Sequence, residues 1–358
     1  MNNIEIKTLS QVHIGNGNFL QVDNDFIVEG KGEDSSIVVF NINKLAKIIG
    51  TDAQSIQQWT DSIMSGDSYS FIRERIYNHP YQDYAKRCIT NYASFQKTNG
   101  MLKECIHDGM GRPYIPGSSI KGAIRTAVFA TMAKDEIVDA LSNEHDKKER
   151  KRIMSGMERR LLGNSPESDI FRYFSTGDAY FDKGVEIAVK QVNLNTKKKG
   201  IQIDYSKQQV VEAISSDQTS SFRINANSTF YHQLGLRDLL DLFTLIREHT
   251  QHLVEEEIEY WDGDSKSSEG YVYSMNEILD EINSCESNEC VLRIGQASGW
   301  RFITGAWLEA LGKKTFKEEI APLCRYNNNT LYQQYDFPKS RRMDDESYLF
   351  GFVKLTIR

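Results

Sequence analysis

The sequence predicts an α+β fold in two domains. Three observations carry this. Apolar residues alternate with polar ones over Ile4-Glu5-Ile6-Lys7-Thr8-Leu9, a strand signature. They recur at helical spacing over Ile120, Ala123, Ile124, Ala127 and Val128. Strand–turn–helix units occur in both halves, and each half carries a Pro-Gly or glycine-rich element, which suits sheets with helices on one face. At 358 residues the chain is long for a single core and suits two. A small polar break from Gly163 to Ser168 gives the expected boundary, with domains of 1–163 and 164–358.

The elements follow in order. After the first strand, Phe19 to Val28 and Ser36 to Phe40 read as strands, with glycine turns at 15–18 and 30–32. Ile42 to Ile49 and Asp52 to Met64 read as short helices, and Tyr69 to Asn99 as irregular. The run Gly111 to Arg125, GRPYIPGSSIKGAIR, then says most about function. Pro113 and Pro116 fix an extended approach, and Ser118 or Ser119 caps the helix that follows. Lys121 and Arg125 leave one helical face near its start, and a helix start with hydroxyls and two cations suits an anion. From Lys134 to Arg160 the chain is densely charged with mixed signs, a solvated helical face or a minor contact with RNA or a neighbour.

In the second half, Phe181 to Val192 reads as a strand, and Val210 to Ser228 contains another centred on Phe222-Arg223-Ile224. Leu236 to Ile258 is an amphipathic helix with a stripe through Leu239, Leu240, Phe243, Ile246, Val254 and Ile258. Asp262 to Gly270 reads as a flexible loop. Val291 to Ile294 is a strand entering the loop Gly295-Gln296-Ala297-Ser298-Gly299-Trp300, and Phe350 to Ile357 closes the sheet. The loop lacks dinucleotide spacing and suits backbone lying against a ligand or a neighbouring strand. Trp300 and Phe302 either stack on bases or fill the core. Lys339, Arg341 and Arg342 follow Pro338 on a constrained turn, which is solvated or holds phosphate.

Composition narrows the function. Hydrophobic content of 39% and charged content of 26% are those of a globular protein, and no apolar run is long enough for a membrane span. The N-terminus lacks the apolar core of a signal peptide. Five cysteines, sparse and odd in number, suggest reduced thiols and a cytoplasmic protein; Cys285 and Cys290 lack the further ligands of a zinc site, so no metal and no cofactor are expected. The net charge of −7 argues against a binder driven by bulk charge and leaves room for a local basic groove.

The segment PYIPGSSIKGAIR resembles the signature of RAMP subunits of type III CRISPR effector complexes. Leu9-Ser10-Gln11-Val12-His13-Ile14-Gly15-Asn16-Gly17 resembles the His-Ile-Gly segment after the first strand of such subunits, and the 295–300 loop resembles their C-terminal glycine-rich loop. Phe337-Pro338-Lys339-Ser340-Arg341-Arg342 and Leu349-Phe350-Gly351-Phe352-Val353-Lys354-Leu355 resemble the ending of the terminal RAMP subunit of type III-A (Csm) complexes. Ser340 stands where that ending has Thr, and Phe350 and Phe352 flank the glycine in place of Leu and Trp.

The resemblance implies two ferredoxin-like (RRM-like) domains with helical insertions and a non-catalytic role. It implies capping of the 3′ side of the guide RNA (crRNA) and support for its maturation in antiviral defence. The implied partners are crRNA, target RNA and other Csm subunits, chiefly the repeated RAMP backbone subunit. The expected RNA contacts are Ser118, Ser119, Lys121, Arg125, Gly295, Gly299, Trp300, Lys339, Arg341 and Arg342. The alternatives are a stand-alone RAMP endoribonuclease acting on precursor crRNA, with His13 as the candidate base, and a RAMP subunit of a type III-B (Cmr) complex. Asp23, Asp25 and Asp108 lie where the backbone subunit carries its cleaving aspartate and are read as non-catalytic.

Overall fold

The structure, a computed structural model, describes residues 2–30, 32–93, 100–142, 144–197, 200–263, 265–305, 307–308 and 340–358. The alternating first strand, Asn2–Thr8, buries Ile4 and Ile6 on one face and pairs antiparallel with Thr219–Ala226 and Phe352–Ile357. Glu289–Arg293 and Phe174–Thr176 add the two edges of this five-stranded sheet. The helices Gly117–Ser142 and Leu239–Trp261 send Ile120, Ile124 and Phe243 into one core with Ile4, Ile6, Phe222 and Leu355. Each such fully buried side chain contributes about 1.5–3 kcal/mol.

The connectivity explains the fold. In chain order the unit runs strand Asn2–Thr8, helix Gly117–Ser142, strands Phe174–Thr176 and Thr219–Ala226, helix Leu239–Trp261, strand Phe352–Ile357. Across the sheet these four strands stand in the order fourth, first, third, second, a ferredoxin-like βαββαβ arrangement, and Glu289–Arg293 extends it at the edge. Its pieces come from both sides of residue 163, so segments 1–163 and 164–358 share this sheet. Hydrogen bonding across a sheet is non-local, and a polar break in sequence does not mark it.

The second sheet is mixed. In spatial order it holds Gly15–Gln21, Met101–Cys105, Gly200–Ile214, Glu186–Lys197, Ala85–Asn91, Ser36–Phe40 and Phe26–Glu29, and Ser340–Asp344 also pairs with Glu186–Lys197. Ile27, Val38 and Phe40 pack on the small helices Ile42–Ile49, Ala53–Ser65 and Ser68–Ile76 through Leu45, Ile49, Ile72 and Ile76. Their neighbours Phe26, Ile37 and Val39 point the other way, towards Leu102 and Ala188.

Several elements differ from expectation. Phe19 to Val28 is two strands, because Asp23 adopts φ 68° and turns the chain. The stretch read as irregular contains the helix Ser68–Ile76 and the strand Ala85–Asn91; Ile72 and Ile76, four apart, supply the buried stripe. Residues 94–99 of that stretch lie outside the described residues. The loop read over Asp262 to Gly270 is largely helix, since Lys266–Asn283 starts there with Ser265 as its cap. The charged run forms the end of Gly117–Ser142 and the helix Lys147–Leu162, where Arg152 pairs with Glu149 and Arg160 with Glu136. No described helix is long and apolar enough to cross a membrane.

Candidate nucleic-acid interface

The Pro-Gly-Ser-Ser helix start is tied into the protein itself. The Gly117 N–H donates to the Asp178 carboxylate at 2.8 Å, and Thr176 Oγ1 donates to the Gly117 carbonyl at 2.6 Å. A Cβ on Gly117 would stand 2.4 Å from the Thr176 carbonyl oxygen, so only glycine fits. The chain's own carboxylate therefore takes the helix N-terminus, where a negative charge is favoured. Lys121 Nζ donates to the carbonyls of Phe171 and Phe174 at 2.9 and 2.8 Å. Arg125 donates to Glu158 at 3.0 Å and Asp169 at 2.9 Å and lies 5.2 Å over the Phe171 ring. Both cations hold the 170–174 turn onto the helix. They are not the free phosphate ligands that their spacing suggested. Ser118 is exposed and Ser119 half-buried at the same helix start.

The three glycine segments meet at one junction between the sheets. Gln296 N–H donates to the His13 carbonyl at 2.9 Å, Ile294 N–H to Gly351 at 2.8 Å, and Gly351 N–H to Gln11 at 2.9 Å. A Cβ on Gly351, at φ 87°, would lie 2.1 Å from the Ile294 carbonyl oxygen; one on Gly295, at φ 78°, would lie 2.7 Å from that of His13. These glycines permit close approach of the chain to itself. Gly299, at φ 80°, faces open space. Phe302 is buried beside Phe352 at 5.6 Å, so it fills the core. Trp300 is half-buried against the cluster of Ala130, Ala133 and Ile137.

Arg341 is likewise internal. It is 5% exposed and forms a bidentate pair with Glu257, both contacts at 2.5 Å. Arg301 at 2.8 Å and the Tyr271 hydroxyl at 2.8 Å complete the shell of Glu257. Burial alone would raise this carboxyl, but Arg341, Arg301 and Tyr271 together hold it down at about 2. Arg341 thus belongs to a buried ion pair and not to an RNA face. Lys339 lies outside the described residues.

Arg342 is different. It sits beside Lys103, from the strand Met101–Cys105, on the rim of the same junction. Arg342 donates to Gln191 Oε1 at 2.9 Å, and Lys103 donates to Gln296 Oε1 at 3.3 Å and lies 5.7 Å over the exposed Phe19 ring. Burial lowers the pKa of each, repulsion from Arg342 lowers that of Lys103 further, and among the described residues no carboxylate offsets either. Beside them the Gln191 amide nitrogen is buried with no hydrogen-bond partner among the described residues. The His13 Nδ1–H donates to the Glu212 carbonyl at 2.6 Å, and burial lowers the ring's pKa against the opposing effect of that bond and of the Gln296 side chain. Two half-buried cations and the one unpaired amide nitrogen of Gln191 favour an anion here.

The model of the RAMP superfamily matches residues 5–302. The chain belongs to the RAMP superfamily. No curated protein sequence matches it. Among solved structures it resembles a chain of the cryo-EM structure of a Csm–crRNA–target RNA ternary complex of a type III-A CRISPR–Cas system, with 20% identity over 100% of both chains and a TM-score of 0.73. It also resembles the crystal structure of T. onnurineus Csm5, with 20% identity over 98% of this chain and 99% of that one and a TM-score of 0.63. At such identity the likeness is one of fold, and it agrees with the α+β RAMP architecture.

One further polar cluster lies inside this RAMP fold. Arg87 donates to both oxygens of Glu212, at 2.7 and 2.8 Å, and to Glu104 at 3.1 Å. His107 Nε2 stands 2.9 Å from Glu186, and donor atoms of His107, Glu186 and Glu212 fall within 4.8 Å of one another. These are metal-ligating types, but Arg87 and the Cys105 N–H already occupy the Glu212 oxygens. Of the aspartates weighed as cleaving groups, Asp25 accepts from the Gln21 N–H at 2.8 Å and Asp108 pairs with Arg112 at 2.8 Å. Both close turns. Sequence reasoning missed Lys103, Gln191 and Gln296 as a group, because no motif links residues so far apart.

Proposed function

We propose that the chain is a non-catalytic RNA-binding subunit of a type III-A (Csm) effector complex that caps the 3′ side of the crRNA and supports its maturation. The observation that carries this is the Lys103–Arg342 pair beside the glycine loop, a cationic patch that no carboxylate among the described residues offsets, in a chain of net charge −7. Two half-buried cations repelling each other are relieved by a phosphodiester between them. The exposed Ser118, the open Gly299, and Ser119, Gly295 and Trp300 are further proposed contacts. The whole-length likeness of fold to a chain of a Csm–crRNA–target RNA complex supports the type III-A assignment, with crRNA, target RNA and the repeated backbone subunit as partners. The burial of His13, at 1% exposure, supports the non-catalytic reading, because a general base must reach its substrate.

Capping makes a specific prediction. Complexes assembled without this chain should hold guides with heterogeneous or shortened 3′ ends and fixed 5′ ends. Sequencing the bound guides reads both ends at once. A uniform 3′ end of normal length would rule out the cap.

A further inference from the structure

The strand Ser340–Asp344 carries a reversal of charge. Two residues beyond Arg342 lies Asp344, which opens onto a cleft of about 580 Å³ between the sheets. The floor of the cleft is apolar, formed by Leu9, Ile187, Val189, Ile278 and Leu349. Its walls carry Asp217, Glu277, Glu281, Asp344, Asp345 and Glu346 against a single cation, Lys7. Three of these carboxylates hold cations already: Asp217 with Lys7 at 2.8 Å, Asp345 with Lys190 at 2.8 Å, and Glu281 with Lys354 at 3.1 Å. Glu277, Asp344 and Glu346 have no ion-pair partner among the described residues. Asp344 is 5% exposed and leans on the Gln11 amide at 2.8 Å and the Tyr348 N–H at 2.7 Å. Burial pushes its carboxyl up to about 6. Tyr92 and Tyr348 stand exposed on the rim.

This combination selects its occupant. Carboxylates on the walls repel a polyanion, so RNA is excluded. An apolar floor of several side chains exceeds what a lone cation can cover. Exposed tyrosines beside carboxylates favour guanidinium and ammonium groups, through the ring face and through charge. We propose that this cleft docks an extended basic segment of a protein neighbour, with Arg or Lys side chains on the acidic walls and an apolar side chain between them on the floor. The inference rests on the assembly reading above only in supplying the neighbour.

The test uses the full chain and a labelled Arg-Leu-Arg-Leu-Arg peptide, with Glu-Leu-Glu-Leu-Glu and spermine as controls. Glu277 and Glu346 are exposed and stand apart from the cationic patch, so Glu277→Lys with Glu346→Lys leaves the fold and the RNA site in place. The double variant should weaken peptide binding by about ten-fold or more, as reversed charges in an interface do, with RNA affinity unchanged. The Glu-containing peptide should not bind. Peptide binding unchanged in the variant would overturn the dock, and so would spermine binding as tightly as the peptide, since the apolar floor would then contribute nothing. Failure of the parent chain to bind RNA would count against the RNA reading alone, because the peptide measurement involves no RNA.

Discussion

The cations of this RAMP chain fall into two groups that the fold treats in opposite ways. Lys121, Arg125 and Arg341 sit in its most recognisable motifs, yet each is spent inside the protein, on the carbonyls of Phe171 and Phe174, on Glu158 and Asp169, and on Glu257. Lys103 has no motif around it, and with Arg342 it forms the pair that no described carboxylate offsets. A cation contributes to ligand binding only when the fold leaves it uncompensated. Otherwise it is a fastener, and a motif that contains it marks where the fold needs fastening.

The largest expected effect breaks the fastener side. Arg341→Ala leaves Glu257, which is fully buried, with Arg301 as its one direct ion-pair partner among the described residues. Breaking a buried pair by removing one partner costs about 3–5 kcal/mol. Urea unfolding of the variant should show a loss of that size. A loss below about 1 kcal/mol, the range of an exposed pair, would mean that the pair is not buried in solution.

Lys121→Ala should come next. It removes a charged donor to two carbonyls at the 170–174 turn, and losing hydrogen bonds to a charged group costs about 1.5–3 kcal/mol. Thermal unfolding measures it. A neutral result would return Lys121 to the surface role that its position near the helix start suggests.

These two predictions mark the limit of what the sequence discloses. The first and last strands, the helix after the Pro-Gly-Ser-Ser turn and the 239–261 helix are legible, because periodicity is local and each element buries one face. The three glycine segments are legible as special backbone, and Gly351 and Gly295 do lie against Ile294 and His13. Their convergence is not legible, since the hydrogen bonds joining His13, Gln296 and Gly351 span almost the whole chain. The fate of each cation is hidden for the same reason: Lys121 finds its acceptors some fifty residues on, and Arg341 finds Glu257 by way of the helix Leu239–Trp261. Lys103 carries no local signal, as one lysine in a short strand reads as an exposed position.

Salt dependence of RNA binding compares the two groups most directly. Phosphate contacts release counterions, so each lost contact makes the plot of log affinity against log salt shallower by about one unit or slightly less. Lys103→Ala with Arg342→Ala should make it shallower by about one to two units. Folding stability of that variant should change little, because its two cations repel each other in the folded chain. Arg125→Ala should leave the slope unaltered, since its guanidinium is held by Glu158 and Asp169. A slope that is unchanged in the double variant and shallower in Arg125→Ala would contradict the account and return RNA binding to the helix start.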